Sequence, residues 1–151
     1  MAFVAEVLVL DFEATCDRLD DQSCPQDREI IEFPVVRLAG IPLQEVERFH
    51  CYVRPANGRQ ISAFCTELTG ITAEQVNAAH ELPQVLNDFV CWLQARGLDE
   101  ALLTEGAVVV AHGEWDLNDQ LPAECRRKGI PLPQCLHMFT DIKIVFDWSS
   151  H

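Results

Sequence analysis

Basic residues are scarce in this chain. Eleven lysines and arginines stand against 24 aspartates and glutamates, for a formal charge of −13. That sign excludes a protein that grips nucleic acid by bulk electrostatics. It is compatible with acids gathered at a site that holds a metal. Long apolar runs are missing too. None approaches the roughly 20 residues that cross a bilayer. The N-terminus has no basic region and Glu6 interrupts its apolar segment, so neither a membrane span nor a signal peptide is expected. Repeats, low-complexity tracts and linker-like stretches are absent, so the 151 residues read as one domain with a real core. Cysteine itself is plentiful, but metal-ligand spacing is not. The seven cysteines are odd in number and none forms C-x-x-C, which argues against zinc. Free thiols in a reducing compartment, cytosol or nucleus, are the expectation. A hydrophobic fraction of 48% argues for a folded chain.

What is present is organised around Val7–Thr15, V-L-V-L-D-F-E-A-T. Val7 to Leu10 is a continuous apolar run, the pattern of a strand buried on both faces. Asp11 and Glu13 follow it two residues apart, so on an extended backbone they point to the same side. Two carboxylates on one face repel each other unless a cation lies between them, and hard oxygens suit Mg²⁺ or Mn²⁺. An isolated D-x-E is more often a strand exit with two solvated acids. A second buried run, Ala107–Ala111, is followed by H-G-E-W-D-L-N at His112–Asn118. If the two runs are neighbouring parallel strands, Asp116 joins Asp11 and Glu13 at their carboxyl ends, where α/β sheets build sites. Three carboxylates suffice for one or two divalent ions, the apparatus for in-line attack of water on a phosphodiester.

The remaining pattern predicts an α/β chain. Cys16–Arg28, with four aspartates and Pro25, reads as a loop. Glu29–Leu38 and Glu45–Val53 read as strands that join the first in an antiparallel meander, with Val46, Phe49 and Cys51 apolar and Pro34 hinting at an edge or a bulge. Ile61–Ile71 predicts a short helix closed by Gly70, and Thr72 caps another over Ala73–Ala79. Pro83 opens a longer helix to Arg96, with Val85, Leu86, Phe89, Val90 and Leu93 at core spacing. A helix follows Asp116 to Lys128 and stops at Gly129. Its terminal Arg126, Arg127 and Lys128 most simply complement a helix C-terminus, with phosphate contact as an alternative. Phe139–Phe146 is consistent with a strand or a helix.

Four segments carry a resemblance: V-L-D-F-E-A-T-C at Val9–Cys16, E-I-I-E-F-P at Glu29–Pro34, F-C-T-E-L-T-G-I at Phe64–Ile71 and G-E-W-D at Gly113–Asp116. In that order they resemble the 3′→5′ exoribonucleases of the histone-mRNA and RNA-interference type, within the DEDDh exonuclease class. The resemblance runs to about Phe146. It implies a ribonuclease H-like mixed sheet with flanking helices. It also implies a two-metal Mg²⁺ or Mn²⁺ site on Asp11, Glu13 and Asp116, and hydrolysis of single-stranded RNA 3′ ends to nucleoside 5′-monophosphates. By position, Ala14, Thr15, Phe64, Leu68, Thr69 and Trp115 would form the substrate pocket, with Phe64 and Trp115 stacking on bases. Read without it, both aromatics are more simply core residues.

The chain departs from the pattern at one place. The family carries a late H-x-x-x-x-D, the histidine serving as general base and the aspartate as last metal ligand, and no histidine here has an aspartate five residues on. His137 and Asp141 are one residue too close, and His112 reads as a turn residue. The expectation is a domain whose C-terminal helices and third motif are absent, in a fragment, a truncated product or an isoform that lost its base. Two other readings follow: a non-catalytic RNA-binding or regulatory module, and an acidic interaction domain of the same shape.

Overall fold

The computed structural model describes residues 6–18, 28–104 and 106–144. Strand β1 (Glu6–Leu10) is followed by the short β2 (Glu13–Ala14), then β3 (Ile30–Ala39) and β4 (Gln44–Tyr52). Four helices come next: α1 (Ala63–Thr69), α2 (Ala73–Asn77), α3 (Leu82–Gln94) and α4 (Leu98–Leu103). Strand β5 (Ala107–Ala111), helix α5 (Leu121–Lys128) and the two-residue β6 (Thr140–Asp141) complete the described fold. The six strands form one mixed sheet in which β1 lies between β3 and β5 and β6 follows β5.

The two apolar runs are neighbours, as expected: β1 pairs β5 in parallel, from Glu6 opposite Ala107 to Val9 opposite Val110. The meander is also present, with β3 antiparallel to both β1 and β4. One face of β1 is fully buried through Leu8 and Leu10, while Val7 and Val9 are only half-covered. Helix α3 covers the buried face with Leu82, Val85, Leu86, Phe89 and Leu93. Four phenylalanines interlock there. Phe33 lies 4.6 Å from Phe12, 5.2 Å from Phe89 and 5.9 Å from Phe49 between ring centroids. Such pairs add about 0.5–1.5 kcal/mol each beyond burial. A smaller core of Ile31, Cys65, Ile71 and Val76 seats α1 and α2.

Several expectations need correction. Pro34 does not lie on an edge: β3 pairs strands on both sides. One neighbour changes from β2, paired at Ile30 and Glu32, to β1, paired from Val35 on, and Pro34 falls in the gap. A residue without an N–H is tolerated where no partner on that side needs one. The strand expected over Glu45–Val53 is present as β4, with Phe49 buried but Val46 53% exposed. Helix α4 lies in a stretch read without an element. Its Leu98 is buried and its Ala101 and Leu102 pack against the main core, a tertiary contact that six residues of sequence do not announce. Residues 115–120 form a π-helical turn before α5, where one continuous helix was expected. Thr140–Asp141 settles the start of the last segment as strand, followed by three helical residues, 142–144; the rest of Phe139–Phe146 and most of the Cys16–Arg28 loop lie outside the described residues. No helix among the described residues is long and apolar enough to cross a membrane. A cavity of about 640 Å³, lined by Leu102, Leu103, Val108, Cys135 and Phe139, opens beside β5, and none of Asp11, Glu13 or Asp116 lines it.

Candidate active site

The ends of β1, β2 and β5 converge. Between Asp11 and Glu13, Phe12 is turned into the core at 3% exposure, which leaves the two acids on the opposite side of the backbone. Asp11 is exposed and Glu13 half-buried. Asp116 comes from the π-helical turn after β5. It is 3% exposed, and its Oδ1 accepts the Phe12 N–H at 2.8 Å, which ties it to the end of β1. The wider π turn delivers it there. Gly113 makes the preceding reversal with φ +92°, a conformation that favours glycine, and its N–H donates to Asp141 Oδ1 at 2.8 Å. Asp141 is thereby engaged as a turn anchor, its Oδ1 also accepting the Lys143 N–H at 2.9 Å. The His137 ring lies 3.4 Å from the Leu132 carbonyl.

Asp11 bears on both of the other acids, and Asp116 bears on Glu13. Burial pushes the Glu13 carboxyl above its ordinary value, and the charges of Asp11, Glu32 and Asp116 push it further. Asp116 is raised chiefly by burial and then by Asp11, against the Phe12 N–H bond and the nearby His112, which lower it. Among the described residues no group of three His, Cys, Asp or Glu side chains is already closed to metal-coordination distances. The donor chemistry nonetheless fits a hard divalent cation: carboxylate oxygens brought together past the ends of β1 and β5, with the charge of Asp11 destabilising the ionised Glu13 and Asp116. Asp11, Glu13 and Asp116 would hold it.

Glu32 is a contributor that sequence reasoning missed. It sits opposite Glu13 across the β2–β3 ladder, and its Oε1 lies 2.6 Å from His50 Nε2. The signal was present in E-I-I-E, but only the register of a two-residue strand places it beside Glu13. A second omission is the buried network behind the site. Glu124, fully buried, accepts the Ile30 N–H at 2.8 Å and the Lys128 ammonium at 2.6 Å. Lys128 also reaches Glu29 at 2.5 Å, and Glu29 accepts the Ala56 N–H at 2.8 Å. Lys128 therefore points into the protein instead of simply complementing the end of α5. Arg127 donates to the Arg28 carbonyl at 2.5 Å.

The residues expected to form the pocket are dispersed in role. Ala14 and Thr15 are buried. The Thr15 hydroxyl accepts the Glu29 N–H at 3.0 Å and its N–H donates to the Glu29 carbonyl at 2.8 Å. Phe64 is half-buried on the first turn of α1, with the Arg18 guanidinium over its ring. Leu68 is 67% exposed on the same helix. The Thr69 hydroxyl is spent locally, donating to the Cys65 carbonyl and accepting from Ile71. Trp115 is 37% exposed beside Asp116, so it is not a core residue.

Comparison with known proteins agrees with this architecture. ERI1 exoribonuclease 3 of Homo sapiens is 38% identical over 142 residues, covering 94% of this chain and 40% of that protein. The 3′-5′ exoribonuclease 1 of Homo sapiens is 35% identical over 143 residues, 91% of this chain and 38% of that one. The chain thus spans about two fifths of the length of these relatives. Among solved structures, the nuclease domain of 3′hExo, a DEDDh family member bound to rAMP, matches with a TM-score of 0.84 at 30% identity, over 99% of this chain and 73% of that chain. A 3′-exonuclease solved for its recognition of the histone mRNA stem-loop matches at 0.83 and 30%, over 99% and 50%. The mixed sheet is the ribonuclease H-like fold that the sequence motifs imply. The exonuclease family model, RNase_T, matches residues 8–145, and the chain belongs to that family.

Proposed function

We propose that this chain is the core of a divalent-metal-dependent 3′→5′ exoribonuclease domain acting inside the cell. Its substrate would be the 3′ end of single-stranded RNA and its product a nucleoside 5′-monophosphate. The observation that carries the reading is the convergence of Asp11, Glu13 and Asp116 beyond the ends of β1 and β5, where Asp11 raises both Glu13 and Asp116, and Asp116 raises Glu13. Mg²⁺ or Mn²⁺ held there by Asp11, Glu13 and Asp116 would supply Lewis-acid polarisation of the phosphate and activation of water. The chain's own residues do the rest. Phe64 and Trp115 receive the terminal bases by stacking, worth about 1–3 kcal/mol per base, which matters in a chain of charge −13 with little bulk attraction for RNA. Phe12 fixes Asp116 through its N–H, and the buried Thr15–Glu29 pair fixes the strand that carries Glu13. The names of the two structural relatives, one bound to rAMP and one to a histone mRNA stem-loop, support RNA as the polymer.

A second reading, an RNA-binding module without turnover, is favoured by one specific observation: no histidine in these 151 residues stands in H-x-x-x-x-D. Incubation with a 5′-labelled oligoribonucleotide and Mn²⁺ separates the two. Progressive loss of single nucleotides from the 3′ end supports the nuclease. Tight binding of intact RNA supports the module. Failure to bind either RNA or Mn²⁺ would leave only the acidic interaction domain.

A further inference from the structure

Phe64 already has an occupant. The Arg18 guanidinium carbon lies 5.7 Å from the centre of its ring. The approach is built into the chain on both sides. The Ser62 hydroxyl caps α1 by accepting the Cys65 N–H at 3.0 Å and donates to the Cys16 carbonyl at 2.9 Å. The Cys65 thiol reaches the Ala14 carbonyl at 3.8 Å, and Cys16 packs with Ile61 against the smaller core. The segment leaving β2 is therefore stitched to α1 immediately before Arg18, and the stitching aims an exposed cation at a half-buried aromatic.

A nucleobase stacked on that face of Phe64 would place its ring about 4.5–7 Å from the Phe64 centroid. The guanidinium fills the same space, so the two cannot be there together. Arginine is the cation suited to an exchange of this kind: its planar fork stacks on rings and also binds phosphate in bidentate fashion. We infer that Arg18 is a substrate-contacting residue that rests on Phe64 in the free protein and turns onto a backbone phosphate when a base takes its place. The inference rests on the reading that Phe64 is a base-stacking surface. It assigns a sequence-independent phosphate contact to a site whose other named charges are acidic, and it gives a reason for Phe64 to stay shielded until RNA arrives.

The test is fluorescence anisotropy of a 5′-fluorescein-labelled oligouridylate, with Ca²⁺ as the divalent ion, across a salt series. One phosphate contact on a single strand contributes about 0.7 to the slope of log affinity against log salt. Arg18→Ala is expected to flatten the slope by about that amount and Arg18→Lys to retain it. An unchanged slope in Arg18→Ala, or tighter binding at every salt concentration, would overturn the phosphate contact. Phe64→Ala keeps the two readings apart. Weaker binding with an unchanged slope upholds stacking whatever Arg18 does. Wild-type affinity in Phe64→Ala overturns stacking and with it the exchange on the ring.

Discussion

Asp116 is held under two opposing demands. Burial and the charge of Asp11 raise its proton affinity, and the Phe12 N–H keeps it in place. A carboxyl whose folded pKa lies above its unfolded value binds its proton more tightly when folded. Its cost to stability is absent below the ordinary carboxylate range and is complete once the pH has risen through the raised value. At neutral pH, without divalent ions, Asp116→Asn should therefore unfold at the same temperature as the wild type or higher, because the amide oxygen still accepts from Phe12. With Mn²⁺ the order should reverse, since only the wild type gains from a bound ion. Thermal unfolding with and without Mn²⁺ reads both; a Mn²⁺ shift as large as the wild type's in Asp116→Asn or Asp11→Asn would sink the shared site. The cysteines give a second test at this scale. The Cys16 thiol is pushed up to about 12 by burial and a hydrogen bond to Cys65, and burial takes Cys125 and Cys135 to about 11. Cys91 is exposed. Because the thiolate is the nucleophile, brief native alkylation read by peptide mass spectrometry should mark Cys91 and spare those three. Equal labelling of Cys125 would contradict the packing. Single residues were legible where chemistry and spacing coincide: Asp11 and Glu13 announce themselves by an alternation of two. Glu124 and Lys128 did not, because a pair four apart on a short helix reads as a solvated surface pair.

That pair decides how the elements lock together. Glu124 on α5 takes the first N–H of β3, and Lys128 bridges it to Glu29, which reaches the loop after β4 through Ala56. Burial alone would raise the Glu29 carboxyl, but the Lys128 hydrogen bond, the Ala56 N–H and the charges of Lys128 and Arg59 together hold it below its ordinary value. A depressed acid stabilises the fold above the unfolded carboxylate range, and that contribution is lost as the pH falls through the folded value. Lys128→Met would leave the fully buried Glu124 without its cation and Glu29 with Arg59 alone, at 3.5 Å, a loss of about 3–5 kcal/mol. Urea unfolding at neutral pH should show it, and the difference from wild type should shrink on acidification. A loss under about 1 kcal/mol would place the network at an ordinary surface, where ion pairs are worth that little. At this scale the strands were readable because buried parallel runs are continuous in hydrophobicity. Helix α4 and the π turn were not, since their conformations are imposed by Leu98 in the core and by the demand that Asp116 meet Phe12.

Over the described residues, the fold brings the three carboxylates together and leaves Phe64 half-buried and Trp115 partly exposed, and the described histidines do not complete them. His50 is held by Glu32 on β4, His137 lies against the Leu132 carbonyl, and His80 sits in a loop where its carbonyl accepts from Arg54. Among the described residues only His112 bears on Asp116, and it is an exposed turn residue. A positioned general base contributes about 10²–10⁴-fold. The 151-residue polypeptide should therefore bind single-stranded RNA yet release 5′-mononucleotides at a rate lower by about that factor than a domain with such a base. Added imidazole should recover part of the difference, as a free base enters the position that no described side chain fills. The measurement is mononucleotide release with Mn²⁺, with and without imidazole, for the wild type and for His112→Ala. Fast release that imidazole does not increase and that His112→Ala abolishes would make His112 the base, and would show that the turn after β5 orients it better than its exposure suggests.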